Sequence, residues 1–201
     1  HLTTRRQRQM CIRDRLRVVA PDVGGGFGSK INVYNEDIVC SWAAKKINRA
    51  IKWVAERSES FLTDIHGRDH VTHAELAVTN DGKFLGFKNE TIANLGAYAR
   101  VFGTVTPTYL FGPCATGVYE IPAAYSNVKA VFTNTAPVDA YRGAGRPEAT
   151  YTIERLVEKA SMELGIDKTE LRMKNFPTSF PFKQTLVLSL IHISEPTRPP
   201  E

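Results

Sequence analysis

Two glycine-rich segments combine the residue types and spacing that could do chemistry in this sequence. The first is GGGFGSK at residues 24–30, and the second is AYRGAGRPE at residues 140–148. Because glycine lacks a Cβ atom and adopts positive φ angles freely, bare backbone in such segments can approach a bound group closely. Each segment therefore predicts a loop whose main chain contacts a ligand.

The first segment fits neither of the common phosphate-binding motifs. A P-loop needs G-x-x-x-x-G-K-[ST], whereas here a Ser precedes Lys30 and no Gly stands five residues before Gly28. The dinucleotide fingerprint G-x-G-x-x-G opens a helix directly, whereas Gly24–Gly28 reads G-x-G-x-G and a helix is expected only near Asn35. Glu56 nevertheless resembles the acid that binds a ribose. A nucleotide- or dinucleotide-binding module that uses Gly24–Gly28 therefore stays open as the alternative function.

Histidine and cysteine side chains raise the question of a metal or thiol site. The H-x-x-x-H spacing of His66 and His70 suits a helix, but Gly67 and the alternation that follows predict a strand. His70 and His73 would then lie on opposite faces. Cys114 has no neighbouring His to activate it, and the three cysteines lack the spacing of a cluster. We therefore predict no metal site built from these side chains, no catalytic thiol, and a reduced, cytoplasmic setting.

Strands and helices must position the two segments. The apolar runs at 16–23 and 51–56 predict buried strands. A helix is predicted from Asn35, which suits the N-cap, because apolar residues follow at helical spacing. Alternating residues on both sides of Asn80–Gly82 predict a hairpin over 71–92.

The second half of the sequence leads into the second glycine segment and a long helix. A strand is predicted at 127–134, after a Gly- and Pro-rich packed connection at 96–122. Pro147 suits the first turn of a helix that ends before Gly165, and Asp167 can cap the helix that follows. Because strands and helices mix without strict alternation, the predicted fold class is α+β with a mixed sheet.

Composition and charge limit the classes of protein to which this sequence could belong. The 201 residues are 42% hydrophobic and 23% charged, which is typical of a globular chain. The net charge of +5 arises from six arginines within residues 1–17, and residues 18–184 carry only +1. A basic tail on a neutral body predicts no nucleic-acid partner. No apolar run is long enough to predict a membrane span.

Both ends of the chain differ in character from the rest. HLTTRRQRQMCIRDR and LVLSLIHISEPTRPPE resemble translated sequencing-adapter sequence, and natural disordered tails are the alternative. We therefore expect a non-native or disordered tail at 1–15, a partial domain at 16–184, and a second such tail at 185–201. The middle part reads as an internal piece of a longer protein.

VVAPDVGGGFGSK and DAYRGAGRPEA together resemble the two cofactor-contacting loops of the xanthine dehydrogenase and aldehyde oxidase family. VYEIPAAY and LRMKNF fit the same family in the same order. The resemblance is to part of the molybdopterin-binding domain of the large subunit. It implies that backbone of Phe27 and Arg142 lies near the ligands of molybdenum. The cofactor-binding residues that it implies are Gly25, Gly26, Phe27, Gly28, Tyr141, Arg142 and Gly143.

The resemblance also implies an activity and its partners. The enzyme would be a molybdenum-dependent oxidoreductase that takes oxygen from water, with molybdopterin as cofactor and its cytosine dinucleotide form as one option. The general base would be a Glu beyond this stretch, so the catalytic residue is unknown here. An iron–sulfur small subunit with 2Fe–2S clusters and an FAD-containing medium subunit would accept the electrons. This stretch alone is expected to be inactive.

Positions where this sequence departs from the family pattern limit the class of small-molecule substrate that the resemblance implies. Carbon-monoxide-dehydrogenase relatives hold copper with a Cys directly after the loop Arg, where this sequence has Gly143. Purine-hydroxylating relatives have Glu, Arg and Phe at the positions of Ile31, Leu110 and Ala144. Without these groups, the resemblance is to carbon-monoxide-dehydrogenase-like enzymes that lack the copper ligand, and it implies an aldehyde or an N-heterocycle as substrate.

Overall fold

A computed structural model describes residues 18–180 and 182, together with the backbone of Leu188–Ser194. The helices are α1 Asn35–Ile47, α2 Arg57–Thr63, α3 Arg146–Leu164 and α4 Lys168–Lys174. The strands are β1 His70–Val78, β2 Phe84–Gly96, β3 Ala123–Phe132 and β4 Leu188–Ser194. This architecture confirms the predicted α+β class. The predicted tails remain a prediction: residues 1–17, 183–187 and 195–201 lie outside the described residues, and β4 falls within the range of the second tail.

One mixed sheet has the strand order β1-β2-β3-β4. β1 and β2 pair antiparallel, whereas β2 with β3 and β3 with β4 pair parallel. The predicted hairpin is confirmed: the N–H of Gly82 donates to the carbonyl of Thr79 at 2.9 Å, and Gly82 has a φ of 87°. A turn of this shape needs glycine at that position. The predicted long connection is present too, with short helical turns at Thr106–Leu110 and Gly112–Cys114.

The core lies between the sheet and α3. Alternate residues of β2 are buried, and the buried residues of α3 recur at helical spacing, so each element presents one face to the other. Phe84, Phe87, Tyr119, Ile121, Ile153, Val157 and Leu171 are the larger members of this cluster. The helix is therefore fixed to the sheet by apolar burial along most of its length.

Capping residues set the limits of α3 and α4 as the sequence predicts. Pro147 lies in the first turn of α3, and Gly165 ends the helix with a φ of 65°. Asp167 caps α4, because its Oδ1 accepts hydrogen bonds from the N–H groups of Thr169 at 2.8 Å and Glu170 at 3.1 Å. The second glycine segment therefore runs directly into a well-anchored helix.

The strands predicted at 16–23 and 51–56 were wrong within the described residues. Residues 18–23 and 51–56 contain no strand and are mostly exposed, with Val54 exposed at 70%. A run of β-branched residues indicates an extended, apolar segment, but a strand also needs a neighbour to pair with. Neither run finds a partner strand among the described residues.

Helix α1 begins one residue earlier than the predicted cap implies. Tyr34 occupies the N-cap position, and its N–H donates to the carboxylate of Asp37 at 3.0 Å, while Asn35 is the first helical residue. No residue of α1 is buried, and apolar Trp42 is 59% exposed. Within the described residues, no helix is both long enough and apolar enough to cross a membrane.

An ion cluster joins α4 to α3. Arg172 donates to the carboxylates of Glu154 and Glu158, each at 2.8 Å, and the hydroxyl of Tyr119 donates to Glu154 at 2.6 Å. Burial, followed by the hydrogen bond with Glu154, raises the pKa of Tyr119 above its usual value. The phenol therefore stays protonated and keeps its role as a donor.

We expect Arg172→Met to lower the free energy of unfolding by about 2 kcal/mol, because it leaves two half-buried carboxylates without their shared donor. Urea denaturation of the purified chain measures the change. Lys159→Met is the matched control: its partner is Glu163, both side chains are more than 65% exposed, and its loss should cost less than about 0.5 kcal/mol. Equal costs for the two variants would contradict the assignment.

Candidate functional site

The two glycine-rich loops meet in space. A Cβ atom built on Gly28 would lie 2.1 Å from the carbonyl oxygen of Ala140 and 2.9 Å from the Cα of Tyr141. The guanidinium carbon of Arg142 lies 5.1 Å from the centre of the Phe27 ring, within cation–π range. We call residues 24–30 the first loop, residues 140–148 the second loop, and the region where they meet the cleft.

A buried polar contact joins the segments around the two loops. The Nδ2 of Asn32 donates to the Oδ2 of Asp139 at 3.0 Å, across a separation of 107 residues. The Oδ1 of Asp139 accepts from the N–H of Ala140 at 2.6 Å, and the Asp139 side chain is almost fully buried. One carboxylate therefore joins Asn32, just after the first loop, to Ala140, the first residue of the second loop.

The first loop is also tied to the stretch between α2 and β1. The hydroxyl of Tyr34 donates to the carbonyl of Ser29 at 2.6 Å, and the hydroxyl of Ser29 donates to Asp64 at 3.3 Å. The N–H of Ile65 reaches the Tyr34 hydroxyl at 3.5 Å. These bonds fix the end of the first loop, although residues 18–23, the described stretch before it, contain no regular strand.

The second loop is a tight turn that opens α3. The N–H of Ala144 donates to the carbonyl of Tyr141 at 2.7 Å, and Gly145 provides the left-handed N-cap of the helix with a φ of 82°. A Cβ on Gly145 would meet backbone atoms of Thr106 and Leu110 at 2.6 and 2.7 Å. The turn at Thr106–Leu110 therefore packs tightly beneath the second loop.

Main-chain donors at the cleft are left without partners in the described part of the chain. The N–H groups of Phe27 and Gly28, and those of Arg142 and Gly143, make no hydrogen bond to any described residue. Successive free N–H groups in such turns favour anionic ligand atoms. The cleft therefore fits a group that carries phosphate or thiolate charge, as molybdopterin does.

Strained backbone concentrates around the same cleft. Phe27, Arg68 and Ala144 have φ angles of 51°, 68° and 42°, although none is glycine. Residues with side chains adopt this region at a cost of about 1 kcal/mol or more, and such strain tends to persist at functional sites. The surrounding contacts must therefore hold these three residues in place.

All the predicted cofactor-binding residues lie in the two loops that form the cleft. Gly25 has a φ of 119°, and a Cβ on it would lie 2.8 Å from the Phe27 ring. Phe27 and Tyr141 are about half exposed, at 50% and 44%. Their backbone is thus brought together, whereas their roles toward a cofactor remain a prediction. Gly26, Gly28, Arg142 and Gly143 complete the set.

The histidines do not converge on a common centre. His70 and His73 lie on opposite faces of β1, and the ring of His66 contacts the carbonyl of Phe61 at 3.3 Å. Within the described ranges, no three His, Cys, Asp or Glu side chains are arranged to hold a metal ion. Cys40 and Cys114 are free thiols.

Several contacts near the site were not found by sequence reasoning. Asp139 contacts Asn32, and Arg68 contacts Arg142, through long-range pairing that no spacing in the sequence indicates. His70 and Glu148 line a cavity of about 710 Å³ between β1 and α3. The Nδ1 of His70 and one oxygen of Glu148 are buried there without a partner among the described residues. Burial lowers the pKa of His70, while Glu148 and Asp69 act to raise it.

Known proteins are similar to this chain in sequence. The large chain of carbon monoxide dehydrogenase from Hydrogenophaga pseudoflava is 42% identical over 165 residues, which is 81% of this chain and 20% of the relative. Subunit gamma of the 6-hydroxypseudooxynicotine dehydrogenase complex from Paenarthrobacter nicotinovorans is 38% identical over 181 residues, 88% of this chain and 22% of the relative. This chain therefore spans about a fifth of the length of these relatives.

The fold has a matching solved structure. Quinoline 2-oxidoreductase from Pseudomonas putida 86 aligns with a TM-score of 0.74 at 33% identity, over 81% of this chain and 21% of that chain. These relatives do not support the dinucleotide-binding alternative, and α1 begins only at Asn35, beyond the helical turn at Ser29–Ile31. The sequence matches the family described as molybdopterin cofactor-binding domain over residues 10–176. The chain belongs to this family.

Proposed function

We propose that this chain is part of the large subunit of a molybdenum hydroxylase that oxidises an aldehyde or an N-heterocycle with oxygen from water. The observation that carries the proposal is the meeting of two glycine loops, with main-chain N–H groups on both sides that have no partner among the described residues. Molybdenum bound through molybdopterin would supply Lewis acidity and redox capacity. The chain supplies position and electrostatics.

The residues of the cleft have distinct parts in this proposal. The N–H groups of Phe27, Gly28, Arg142 and Gly143 would donate to anionic atoms of the cofactor. Glycine at position 28 allows the backbone of the loops to come together, which no residue with a Cβ atom permits. The half-exposed rings of Phe27 and Tyr141 would exclude water from the bound group.

The remaining machinery would lie elsewhere in the parent enzyme. We propose that a Glu beyond this stretch, C-terminal to residue 184, is the general base, and that the electrons leave through 2Fe–2S clusters and FAD on partner subunits. Two relatives are named as subunits of larger assemblies, subunit gamma of a dehydrogenase complex and a large chain. Their names support a multi-subunit parent.

The substrate class rests on what the second loop lacks. Gly143 offers no thiolate, and copper(I) selects soft sulfur ligands, so a copper–molybdenum centre is not supported. Ile31 and Ala144 lack polar groups that could pair with a purine, and Leu110 lies beneath the second loop with an apolar side chain. Each unpaired polar group of a buried purine would cost about 1–3 kcal/mol. A less polar aldehyde or N-heterocycle suits these residues better.

Reconstitution of the parent complex tests this function. We expect molybdenum at about one atom per large subunit, turnover of an aldehyde or N-heterocycle panel, and little activity on xanthine or carbon monoxide. Elemental analysis and steady-state kinetics measure both. Carbon monoxide oxidation with one copper per molybdenum would overturn the substrate assignment, and a fully assembled complex without molybdenum would overturn the function. The 201-residue chain alone should retain little molybdenum.

A further inference from the structure

Arg68 links the start of β1 to the second loop, although 74 positions separate it from Arg142. Its Nη2 donates a hydrogen bond to the carbonyl oxygen of Arg142. Its guanidinium carbon also lies 5.0 Å from the centre of the Tyr141 ring. A planar guanidinium can donate a hydrogen bond and lie over an aromatic ring at the same time, which an ammonium group does poorly.

The backbone around Arg68 is built against the same loop. The N–H of His66 donates to the carbonyl of Pro137, and the N–H of Asp139 donates to the carbonyl of His66, both at 2.9 Å. A Cβ on Gly67 would lie 2.6 Å from the Cβ of Tyr141. Residues 66–68 therefore run alongside the chain that leads into the second loop, and only glycine fits at position 67.

Strain at Arg68 supports a role beyond local packing. Its φ of 68° is a conformation that a long side chain adopts at a cost. Glycine or asparagine would meet the backbone requirement more easily, so the guanidinium gives a reason for arginine at this position. Such strain persists where the surrounding contacts fix the residue.

The contact with Arg142 determines where a neighbouring donor points. The carbonyl of Arg142 and the N–H of Gly143 belong to one planar trans peptide group, so they point in opposite directions. A hydrogen bond that holds the carbonyl on the Arg68 side therefore directs the N–H of Gly143 to the other side. A charged donor on the carbonyl also polarises the peptide group and strengthens that N–H as a donor.

We propose that Arg68 is a positioning residue that holds the Arg142–Gly143 peptide so that the Gly143 N–H faces the bound cofactor. The assignment rests on the proposed function, because the cofactor is the acceptor for this N–H. Arg68 does not itself touch the reacting atoms. It acts through the carbonyl of Arg142 and the ring of Tyr141.

We call the contacts of Arg68 with the Arg142 carbonyl and the Tyr141 ring the clamp. Hydrogen exchange in the parent complex tests the clamp without reference to activity. In Arg68→Met, the amides of residues 140–146 should exchange about tenfold faster, as the loss of a charged hydrogen bond predicts, while those of α3 beyond its first turn stay unchanged. Arg68→Lys should recover part of the protection. Arg155→Met is the matched control: Arg155 lines the cavity beside Arg68, makes none of its loop contacts, and should leave 140–146 unchanged.

A spectroscopic readout separates positioning from folding. The Mo(V) electron paramagnetic resonance signal should shift in Arg68→Met, shift less in Arg68→Lys, and match the unmodified complex in Arg155→Met. If the Arg68→Met protein does not accumulate, both measurements are made on Arg68→Lys. Unchanged exchange and an unchanged signal in an active molybdenum enzyme would overturn the clamp. Faster exchange in a complex that never binds molybdenum would overturn the proposed function. It would also overturn the proposal that Arg68 directs the Gly143 N–H toward a cofactor, although the contact between Arg68 and the second loop would be supported.

Discussion

In the parent enzyme, Gly28→Val is expected to abolish molybdenum retention. A Cβ at this position would lie 2.1 Å from the carbonyl oxygen of Ala140, and the φ of 96° strains any residue with a side chain. The neighbouring atom is backbone, so the two loops must separate, and the donors on each side can no longer face one bound group. Elemental analysis of the purified complex should find molybdenum reduced at least tenfold.

Gly24→Ala is the control for this prediction. Gly24 lies in the same loop, but a Cβ there would meet nothing within 4 Å. Molybdenum content should therefore remain close to that of the unmodified complex. Normal loading in Gly28→Val would mean that the contact between the loops is not needed for binding, and the site assignment would fail.

Gly145→Ala is expected to destabilise the fold strongly. The added Cβ would lie 2.6 Å from the carbonyl oxygen of Thr106 and 2.8 Å from the backbone nitrogen of Phe111, at a φ of 82°. Steric overlap with the backbone, added to the strain of the left-handed conformation, should lower the free energy of unfolding by at least about 3 kcal/mol. Urea denaturation measures the loss, and failure to accumulate in soluble form would agree with it.

The opposite end of the same helix provides the control. Gly165 also has a positive φ, of 65°, but an added Cβ would meet nothing within 4 Å. Gly165→Ala should therefore show only the conformational cost, about 1 kcal/mol. Similar losses at both ends would show that packing beneath the second loop contributes little.

Features encoded by neighbouring residues could be predicted from the sequence, and those that depend on distant partners could not. The turn at Asn80–Gly82 and the limits of α3 follow from glycine, proline and capping chemistry within a few positions. The apolar runs at 16–23 and 51–56 indicated extended chain but carried no information about a pairing partner. That is why the strands predicted there were wrong.

The candidate site divides in the same way. The glycine loops were visible in the sequence as local composition. The structure shows that they meet, with Gly28 against the backbone of Ala140. Asp139 and Arg68 support these loops through contacts across 107 and 74 positions, and no local pattern in the sequence indicates those contacts. Contacts at such separations depend on how the whole chain folds.

The bond between Asn32 and Asp139 also bears on the order of folding. Closing a chain segment of 107 residues carries a larger entropic cost than closing the hairpin of β1 and β2, whose ends lie close in sequence. Contacts of high sequence separation form slowly, so we expect the hairpin and α3 to form first and the cleft last. Insertion of the cofactor would then follow formation of the sheet, and the last contact to form would be the first to open when the cofactor leaves.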